Sequence, residues 1–227
     1  MIPDLDKLQN ASYEAKPDSY YSNPRRDYVA LLPKSSNSAV LELGCGDGAT
    51  GALALKEGKC GKYVGIEMFE PMAERARRVL SEVHMGNIET MELPYSQASF
   101  DAVILSEVLE HLVDPQAVLN RLAMLLKPNA LVFASSPNIA HWSNLKNLCL
   151  GRFQYTDSGM MDRTHLRWFT PASFSDMFEA AGVTVDRVAP FNRLTVYEKI
   201  FRILLGKKFS ALWYYQINLH GHKHAGS

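Results

Sequence analysis

Residues 40–51 of this chain read Val40-Leu41-Glu42-Leu43-Gly44-Cys45-Gly46-Asp47-Gly48-Ala49-Thr50-Gly51. A short apolar run of this kind is typical of a buried parallel strand. The alternating glycines that follow it allow the backbone to turn sharply into a helix and to lie close against a ligand. The stretch therefore predicts a crevice for a nucleotide-type cofactor at the carboxyl end of a first strand.

Length, composition and charge limit the number of domains and the kinds of substrate to expect. The 227 residues suffice for one large domain, and 47% of them are hydrophobic, which supports a full core. Lys plus Arg and Asp plus Glu number 24 each, so no overall field attracts nucleic acid or an anionic membrane. We therefore expect a small-molecule substrate, since nucleic-acid binding would depend on a local basic patch. A homodimer is compatible with this composition.

Cysteine usage indicates a reducing compartment. Cys45, Cys60 and Cys149 are odd in number and form no Cys-x-x-Cys pair, which favours free thiols over disulfides or a zinc site. The first six residues contain neither the basic nor the apolar segment of a signal peptide. No apolar run approaches the roughly 18 residues that span a bilayer. We expect a cytoplasmic protein without a transmembrane segment.

Apolar runs alternate with helical segments along the middle of the chain. Runs typical of buried strands lie near 38–43, 62–67, 99–105, 130–134 and 183–188. Segments that favour helices lie near 48–57, 70–80, 114–126 and 170–181. This alternation predicts an α/β fold with a parallel, doubly wound sheet. No internal repeat or low-complexity linker is visible, which favours a single domain over residues 1–227.

Several segments lie outside that alternation. Residues 1–22 are polar and rich in turn residues, and Pro24 opens a helix that runs to Leu32. Residues 138–170 form a segment long enough to be a lid or substrate-binding insertion. Residues 196–208 have the pattern of an amphipathic helix that covers a sheet edge, with membrane or partner docking as the alternative.

The carboxyl-terminal residues predict a last strand and a tail. Residues 212–219 alternate in polarity, and we expect them to pair with the strand near 183–188. The histidines that follow are interpreted as a solvated terminus in preference to a metal site, and they are His220, His222 and His224.

The glycine pattern is compatible with more than one nucleotide. Gly46-x-Gly48-x-x-Gly51 matches the dinucleotide fingerprint, and Glu67 lies where an acid would accept hydrogen bonds from ribose hydroxyls. Taken alone, this pattern is weak evidence for NAD. Glu42 argues against NAD, because a carboxylate at a buried strand end is costly unless it has a polar partner. A cationic amino group on the ligand would provide that partner.

Downstream motifs resemble those of the class I S-adenosylmethionine-dependent methyltransferases. The resemblance covers residues 38–136, and its motifs are Glu42-Leu43-Gly44-Cys45-Gly46-Asp47-Gly48, Glu67, Gly86-Asn87-Ile88-Glu89, Ser106-Glu107-Val108-Leu109-Glu110-His111-Leu112 and Leu126-Lys127-Pro128. It implies a Rossmann-like doubly wound sheet of seven strands, with order 3-2-1-4-5-7-6 and the last strand antiparallel. It also implies S-adenosyl-L-methionine as the cofactor.

The resemblance assigns cofactor-binding roles to eleven positions. The methionine and ribose parts would lie on Gly44, Cys45, Gly46 and Gly48, with Ser106 and Glu107 on the methionine side and Glu42 toward its amino group. The ribose and adenine would contact Glu67, Met68, Asn87 and Ile88. One departure is Asn87, where the family often has Asp. An amide oxygen still accepts a hydrogen bond from the adenine amino group, with less charge assistance.

Candidate catalytic residues lie in the segments expected to cap the crevice. These segments contain His111, His141 and His165, and we expect His111 and His165 to be catalytic, since imidazole is the natural base near neutral pH. Glu107, Glu110 and His111 have i, i+3, i+4 spacing, so one helical turn would place all three on one side. The trio could orient a base, bind a divalent cation, or only form hydrogen bonds near the cofactor.

The metal alternative has a resemblance of its own. The Glu-x-x-Glu-His pattern resembles the metal-binding motif of ubiquinone-pathway O-methyltransferases and of small-RNA 2′-O-methyltransferases, where a later histidine completes the site. That set would be Glu107, Glu110, His111 and His165. However, Glu-His after the fourth strand is widespread in class I enzymes that use no metal. We therefore expect no metal and retain this set as the alternative.

The acceptor is indicated only by general similarity. Ser136-Pro137-Asn138, the stretch 162–170 and the segment around Tyr20-Tyr21 resemble bacterial methyltransferases of sugar and glycan pathways, and residues 1–36 would form an arm over the cofactor. We expect methyl transfer to oxygen or nitrogen of a small molecule, such as a sugar or glycan precursor. The alternatives are a metal-assisted O-methyltransferase for a catechol-like ring or RNA ribose, and a non-catalytic nucleotide-binding partner protein.

Overall fold

The computed structural model describes residues 23–191 and 206–225 of the chain. The α-helices within these ranges are α1 (Arg26–Leu31), α2 (Ala49–Lys56), α3 (Glu70–Ala76), α4 (Pro115–Leu125), α5 (Trp142–Cys149) and α6 (Pro171–Ala180). The strands are β1 (Ala39–Leu43), β2 (Lys62–Glu67), β3 (Glu82–Met85), β4 (Phe100–Ser106), β5 (Leu126–Pro137), β6 (Val183–Pro190) and β7 (Gln216–Lys223). Short 3-10 helices occur at Leu109–His111 and Lys207–Trp213.

The strands form one seven-stranded sheet with the order β3-β2-β1-β4-β5-β7-β6. Strands β1 to β5 pair in parallel, whereas β7 runs antiparallel to both β5 and β6. The predicted fold class, strand order and antiparallel last strand are confirmed. The predicted arm over residues 1–22 and most of the predicted helix over 196–208 lie outside the described residues.

The register of the central strands places their carboxyl ends at one edge. Leu43, the last residue of β1, pairs with Ile66 of β2 and with Leu105 of β4. The residues that follow these three at the same edge are Gly44, Glu67 and Ser106. In doubly wound sheets the ligand crevice lies outside the carboxyl ends of the strands, so this register assembles the site.

The core lies on both faces of the sheet. Val103 and Leu105 of β4 pack into one cluster with Phe174 of α6, whereas Ile104 packs into the opposite cluster with Tyr63. Successive side chains of a strand point to opposite faces, so a strand buried on both faces reads as a continuous apolar run. This is why the apolar runs in the sequence located the central strands well.

Helix α6 begins where its capping residues predict. The Thr170 hydroxyl oxygen accepts a hydrogen bond from the Ser173 backbone N–H, and the Ser173 hydroxyl oxygen accepts one from the Thr170 backbone N–H. Pro171 occupies the first turn, where a missing N–H costs nothing. Gly182 then adopts a φ of 79°, which ends the helix and leads into β6.

The carboxyl-terminal region corrects two predictions. Leu212 and Trp213 belong to a 3-10 helix, and β7 begins only at Gln216 and extends to Lys223. His220 is therefore not part of a solvated tail, because its ring packs edge-on against Tyr28 and Phe133. Strand β7 pairs with β5 on one side and β6 on the other. This double pairing extends the strand beyond residue 219, where the alternation of polarity in the sequence ends. His224 alone is exposed as expected.

Candidate active site

A cavity of about 750 Å³ opens at the carboxyl edge of β1, β2 and β4. Its walls include ten of the eleven positions assigned to the cofactor from the sequence, which are Glu42, Gly44, Cys45, Gly46, Glu67, Met68, Asn87, Ile88, Ser106 and Glu107. His111 and His165, the candidate catalytic residues, line the same cavity. Gly48 is the exception and lies at the start of α2, outside the lining.

The glycines of this edge have different structural tasks. Gly44 has a φ of 70°, and a Cβ atom there would lie 2.4 Å from Cγ2 of Val108. Gly48 has a φ of 84°, and its Cβ would lie 2.8 Å from Cγ2 of Val79. Both positions therefore require glycine. Gly44 keeps the cavity wall flat beside Val108, whereas Gly48 allows α2 to pack against the segment after α3.

Glu67 is held at the end of β2 by three backbone donors. Its Oε1 accepts from the N–H groups of Met68 and Phe69, and its Oε2 accepts from the N–H of Gly46, each at 2.9 Å. Burial raises the pKa of Glu67, while these three donors oppose the rise. The arrangement fixes the carboxyl group at the cavity wall and links the glycine turn to β2.

Glu42 has a protein partner that the sequence did not suggest. It is 3% exposed, and the Tyr63 hydroxyl donates to its Oε2 at 2.9 Å. Burial raises the pKa of Glu42 to about 8, although hydrogen bonds from Tyr63 and Thr50 and the charge of Arg25 lower it. Burial therefore favours the protonated form of the Glu42 carboxyl group at neutral pH.

Arg25 is a cavity residue that the sequence analysis missed. Its Nη1 donates to the hydroxyl oxygens of Ser106 and Ser135, and its Nε and Nη2 donate to Asp27 at 3.0 and 2.9 Å. Its guanidinium carbon lies 3.7 Å from the centre of the Tyr28 ring. An arginine just before a helix carries no spacing signature, so only the folded chain shows that it joins α1 to the ends of β4 and β5.

A buried polar cluster forms the wall beyond β4. It consists of Glu110, His111 and His165, which are 1%, 7% and 6% exposed. One carboxylate oxygen and one ring nitrogen from each histidine all lie within 4.8 Å of one another. The N–H groups of Leu166 and Arg167 donate to the carbonyl oxygen of Glu110, which ties the two segments together.

Hydrogen bonds to backbone carbonyls orient both histidines. Nδ1 of His111 lies 3.2 Å from the carbonyl oxygen of Thr164, and Nδ1 of His165 lies 3.2 Å from that of Met160. A carbonyl oxygen can only accept, so Nδ1 must carry the proton in each ring. In the neutral rings, Nε2 is then the nitrogen with the lone pair.

The two glutamates of this wall do not share one helical turn, which corrects the expectation from their spacing. Only Leu109–His111 is helical, and Glu107 precedes it with a φ of 53°. Ser136 donates to Oε2 of Glu110 at 3.1 Å, whereas Oε1 of Glu110 is buried with no hydrogen-bond partner among the described residues. Burial, with the neighbouring charge of Glu107, holds the pKa of Glu110 well above its usual range.

Other sequence candidates lie away from the cavity. His141 caps α5, where its Nδ1 lies 2.8 Å from the Ser143 hydroxyl, and it is outside the cavity lining. His84 hydrogen-bonds the Tyr95 hydroxyl and also lies outside the cavity lining. The rings of Tyr155 and Trp168 pack beside each other, and Trp142 is 43% exposed.

Similarity to known proteins decides the family. A family described as a methyltransferase domain matches residues 18–188. The demethylmenaquinone methyltransferase of Listeria monocytogenes is 26% identical over 182 residues, which cover 72% of this chain and 77% of that protein. A probable S-adenosylmethionine-dependent methyltransferase of Mycolicibacterium smegmatis is 27% identical over 161 residues, which cover 70% of this chain and 57% of that protein. The chain is a class I S-adenosylmethionine-dependent methyltransferase.

Solved methyltransferase structures share this fold. The S-adenosylmethionine-dependent methyltransferase of Archaeoglobus fulgidus superposes with a TM-score of 0.62 at 20% identity, covering 97% of this chain and all of that one. An S-adenosylmethionine-dependent methyltransferase of Mesorhizobium loti superposes with a TM-score of 0.61 at 17% identity, covering 87% of this chain and 96% of that one. Within the described residues, no helix is both long and apolar enough to cross a membrane.

The cavity of this methyltransferase fits S-adenosylmethionine chemically. The cofactor carries a carboxylate, a cationic amino group, ribose hydroxyls and an adenine. The wall offers the Arg25 guanidinium, the Glu42 and Glu67 carboxyl groups, and the Asn87 amide. Gly44 keeps bare backbone beside these groups, since a Cβ there would collide with Val108. The donors and acceptors therefore match the cofactor in kind, and the dinucleotide interpretation is not needed.

Proposed function

We propose that this methyltransferase transfers a methyl group to an oxygen or nitrogen of a small molecule, most naturally a sugar or glycan precursor. The observation that carries the proposal is that one cavity is lined both by the cofactor positions and by the buried cluster of Glu110, His111 and His165. Cofactor and acceptor would meet between these walls, shielded from water. Methyl transfer requires such shielding and a fixed approach of the nucleophile.

The cofactor side would be held by residues of β1, β2 and the segment after β3. S-adenosylmethionine supplies a methyl group already activated on a sulfonium sulfur. Glu67 would accept hydrogen bonds from the ribose hydroxyls, and Asn87 would face the adenine edge. Glu42 would pair with the amino group of the methionine part, and Arg25 would pair with its carboxylate. The turn at Gly44 would let the backbone approach the methionine part closely.

The acceptor side would be organised by the two histidines. A hydroxyl or ammonium acceptor must lose a proton during transfer, and a base with a lone pair facing the cavity can take it. Nε2 of His111 or of His165 meets this requirement, because Nδ1 of each ring donates to a backbone carbonyl.

The size of the cavity suits a small acceptor. Its volume of about 750 Å³ includes the cofactor positions, so the cofactor and the acceptor share a space within the roughly 300–1,000 Å³ typical of small-molecule pockets. The balanced charge of the chain, with 24 basic and 24 acidic side chains, gives no basic field for a nucleic acid. Polar groups at the far wall favour an acceptor with hydroxyl or amino groups, as sugars have.

One other function remains as an alternative. A metal-assisted O-methyltransferase acting on a catechol-like ring or RNA ribose is favoured specifically by the clustering of Glu110, His111 and His165. The non-catalytic nucleotide-binding alternative is set aside, because the chain belongs to a family of methyltransferases. The demethylmenaquinone acceptor of the Listeria relatives belongs in the same substrate screen.

Calorimetry and a substrate screen test the proposal. S-adenosylhomocysteine should bind one-to-one, and NADH should not bind measurably. A metabolite extract incubated with S-adenosylmethionine labelled at the methyl group should yield a labelled polar small molecule, whose methylated atom is then assigned by NMR. Tight NADH binding without S-adenosylhomocysteine binding would contradict the cofactor assignment. Methylation at carbon, or no labelled small molecule in the extract, would contradict the proposed acceptor class.

A variant pair tests the role of the histidines. His165→Gln should lower kcat by about 10²–10⁴-fold, the usual contribution of a general base. Binding of S-adenosylhomocysteine should be unchanged, because His165 is not among the cofactor positions. His84→Gln is the matched control, since His84 hydrogen-bonds Tyr95 outside the cavity. Equal losses in the two variants would show that His165 has only a structural role.

A further inference from the structure

We propose that Glu110, His111 and His165 bind one divalent transition-metal cation at the acceptor side of the cavity. The proposal concerns ion binding itself, and it rests on the proposed function only where the ion contacts the acceptor. It departs from the expectation, drawn from the sequence, that no metal binds. It also changes the alternative ligand set, because Glu107 is not among the three clustered residues.

The three ligand atoms are already gathered before any ion binds. One Glu110 oxygen and one nitrogen from each histidine lie within 4.8 Å of one another. In a tetrahedral site with bonds near 2.1 Å, ligand atoms are about 3.4 Å apart. Side-chain rotations that close the cluster by up to about 1.4 Å would therefore complete the coordination. The backbone need not move, because Leu166 and Arg167 bind the Glu110 carbonyl oxygen and fix both segments.

Both histidines are prepared as metal ligands by their outer hydrogen bonds. Nδ1 of His111 donates to the Thr164 carbonyl oxygen, and Nδ1 of His165 donates to that of Met160. Metal-binding histidines almost always donate their second ring N–H to a carbonyl or carboxylate, which fixes the tautomer and the ring orientation. The same arrangement occurs here twice, on two rings whose centroids are 4.8 Å apart.

The carboxylate of the cluster is an independent sign of a cation site. Oε1 of Glu110 is buried and has no hydrogen-bond partner among the described residues, while Oε2 accepts from Ser136. A buried carboxylate oxygen without a partner is costly, and native structures usually explain such an atom by an ion or water. A bound cation would give this oxygen a partner.

The ligand types select the class of ion. Two imidazole nitrogens and one carboxylate suit zinc, iron, cobalt or manganese better than magnesium or calcium, which prefer all-oxygen sites. Three protein ligands leave at least one coordination position open. Glu110, His111 and His165 all line the cavity, so that position would face the space for the acceptor. An acceptor hydroxyl bound there would become more acidic and could release its proton to water. With the ion in place both histidines would be ligands, so the ion would activate the acceptor in place of a histidine base.

Cobalt and zinc titrations of the full chain test the proposal directly. The protein should first be stripped with a chelator and should carry His222→Gln and His224→Gln, because these two carboxyl-terminal histidines could bind ions non-specifically. Titration with Co²⁺ alone, without cofactor or acceptor, should give one bound ion per chain and visible absorption bands of low-symmetry cobalt. Calorimetry with Zn²⁺ should give the same stoichiometry.

Two variants locate the site. Glu110→Gln and His165→Gln should each weaken Zn²⁺ binding by at least the roughly 10–100-fold that loss of an outer hydrogen-bond partner costs a metal site. The matched controls are Glu92→Gln and His84→Gln, which remove the same groups outside the cluster and should leave the affinity unchanged. Circular dichroism and S-adenosylhomocysteine binding should be retained in all four variants.

These experiments distinguish failure of the metal site from failure of the proposed methyl transfer. Absence of one-to-one Co²⁺ binding in the parent protein overturns this inference, whether or not the variants fold. Binding that survives in both folded ligand variants also overturns it. Methyl transfer by a protein that binds no ion would overturn the metal site alone. Ion binding without any methyl transfer would support the site and contradict the proposed function.

Discussion

The imidazole rings of His111 and His165 stand edge to face, with 4.8 Å between their centroids and 70° between their planes. His111 closes the short helix after β4, whereas His165 belongs to the long segment between α5 and α6. Each ring is fixed separately by a backbone carbonyl, of Thr164 and Met160 respectively. Two distant segments therefore present one composite polar surface to the cavity.

We expect His111→Gln and His165→Gln to act on catalysis as a unit. The double variant should lose about as much kcat as the more damaging single variant, because residues that perform one task are strongly non-additive. The measurement is single-turnover methyl transfer to the acceptor found in the substrate screen. Losses that multiply in the double variant would mean that the two rings act independently.

Glu42 should make the stability of the protein depend on pH. Its pKa is about 8 in the folded protein, against an ordinary value of 4.5. A raised folded pKa contributes stability that is complete below pH 4.5 and is lost as the pH rises through 8. The free energy of unfolding should therefore fall between about pH 5 and pH 8, by on the order of 1 kcal/mol per pH unit, and level off above pH 8. Glu42→Gln should show a flatter dependence in urea unfolding, and an equal slope would contradict this assignment.

Cofactor binding should release a proton from the same group. A cationic amino group beside Glu42 favours its carboxylate form, so binding S-adenosylhomocysteine at pH 7 should expel the proton that burial retains. Calorimetry in buffers of different ionisation enthalpy counts the released protons. The affinity should rise from pH 6.5 to 8.5 in the parent protein and stay nearly constant in Glu42→Gln. Proton uptake on binding would be the contrary result.

Gly44→Ala should damage both folding and binding. The residue has a φ of 70°, and its new Cβ would lie 2.4 Å from Cγ2 of Val108. We expect a loss of about 1–3 kcal/mol from backbone strain, with a further loss from the collision. Gly58→Ala is the control for strain alone, since Gly58 has a φ of 67° and nothing within 4 Å of its would-be Cβ. Thermal unfolding should show the larger loss at Gly44, and only Gly44→Ala should weaken S-adenosylhomocysteine binding.

Arg25→Lys should weaken cofactor binding even though the charge is kept. Lysine cannot reproduce the guanidinium fork that reaches Ser106, Ser135 and Asp27 at once. Loss of hydrogen bonds to a charged group corresponds to about 1.5–3 kcal/mol, or roughly a tenfold to hundredfold lower affinity for S-adenosylhomocysteine. Arg78→Lys, at an exposed position, is the control and should leave the affinity unchanged. Equal affinities in parent and Arg25→Lys would remove Arg25 from the site.

Much of this architecture follows from local sequence features. The apolar runs in β1, β2 and β4 are buried on both faces, so they are recognisable without knowledge of their neighbours. Thr170, Pro171 and Gly182 mark the ends of α6 through capping chemistry that acts within a few residues. The order of strands and the positions of Glu67 and Ser106 at strand ends then follow from the family pattern.

Other features depend on contacts between distant residues. The strand β7 extends to Lys223 because β5 and β6 pair with it on both sides, a condition that its own residues do not reveal. For the same reason His220 is packed against Tyr28 and Phe133 and does not belong to a solvated tail. Hydrogen bonding to neighbouring strands outweighs the local preferences of such a segment.

The sequence by itself determined the central strands and the ends of α6, because periodicity and capping act over short stretches of chain. The family resemblance added the strand order and the cofactor positions, and imidazole chemistry singled out the two candidate histidines. Only the tertiary structure decided that Arg25 reaches Ser106 and that Glu110 lies with His111 and His165 while Glu107 does not. Those relations depend on how separate segments pack at one end of the sheet. Side-chain geometry across such distances is set by the whole fold, and no local pattern encodes it.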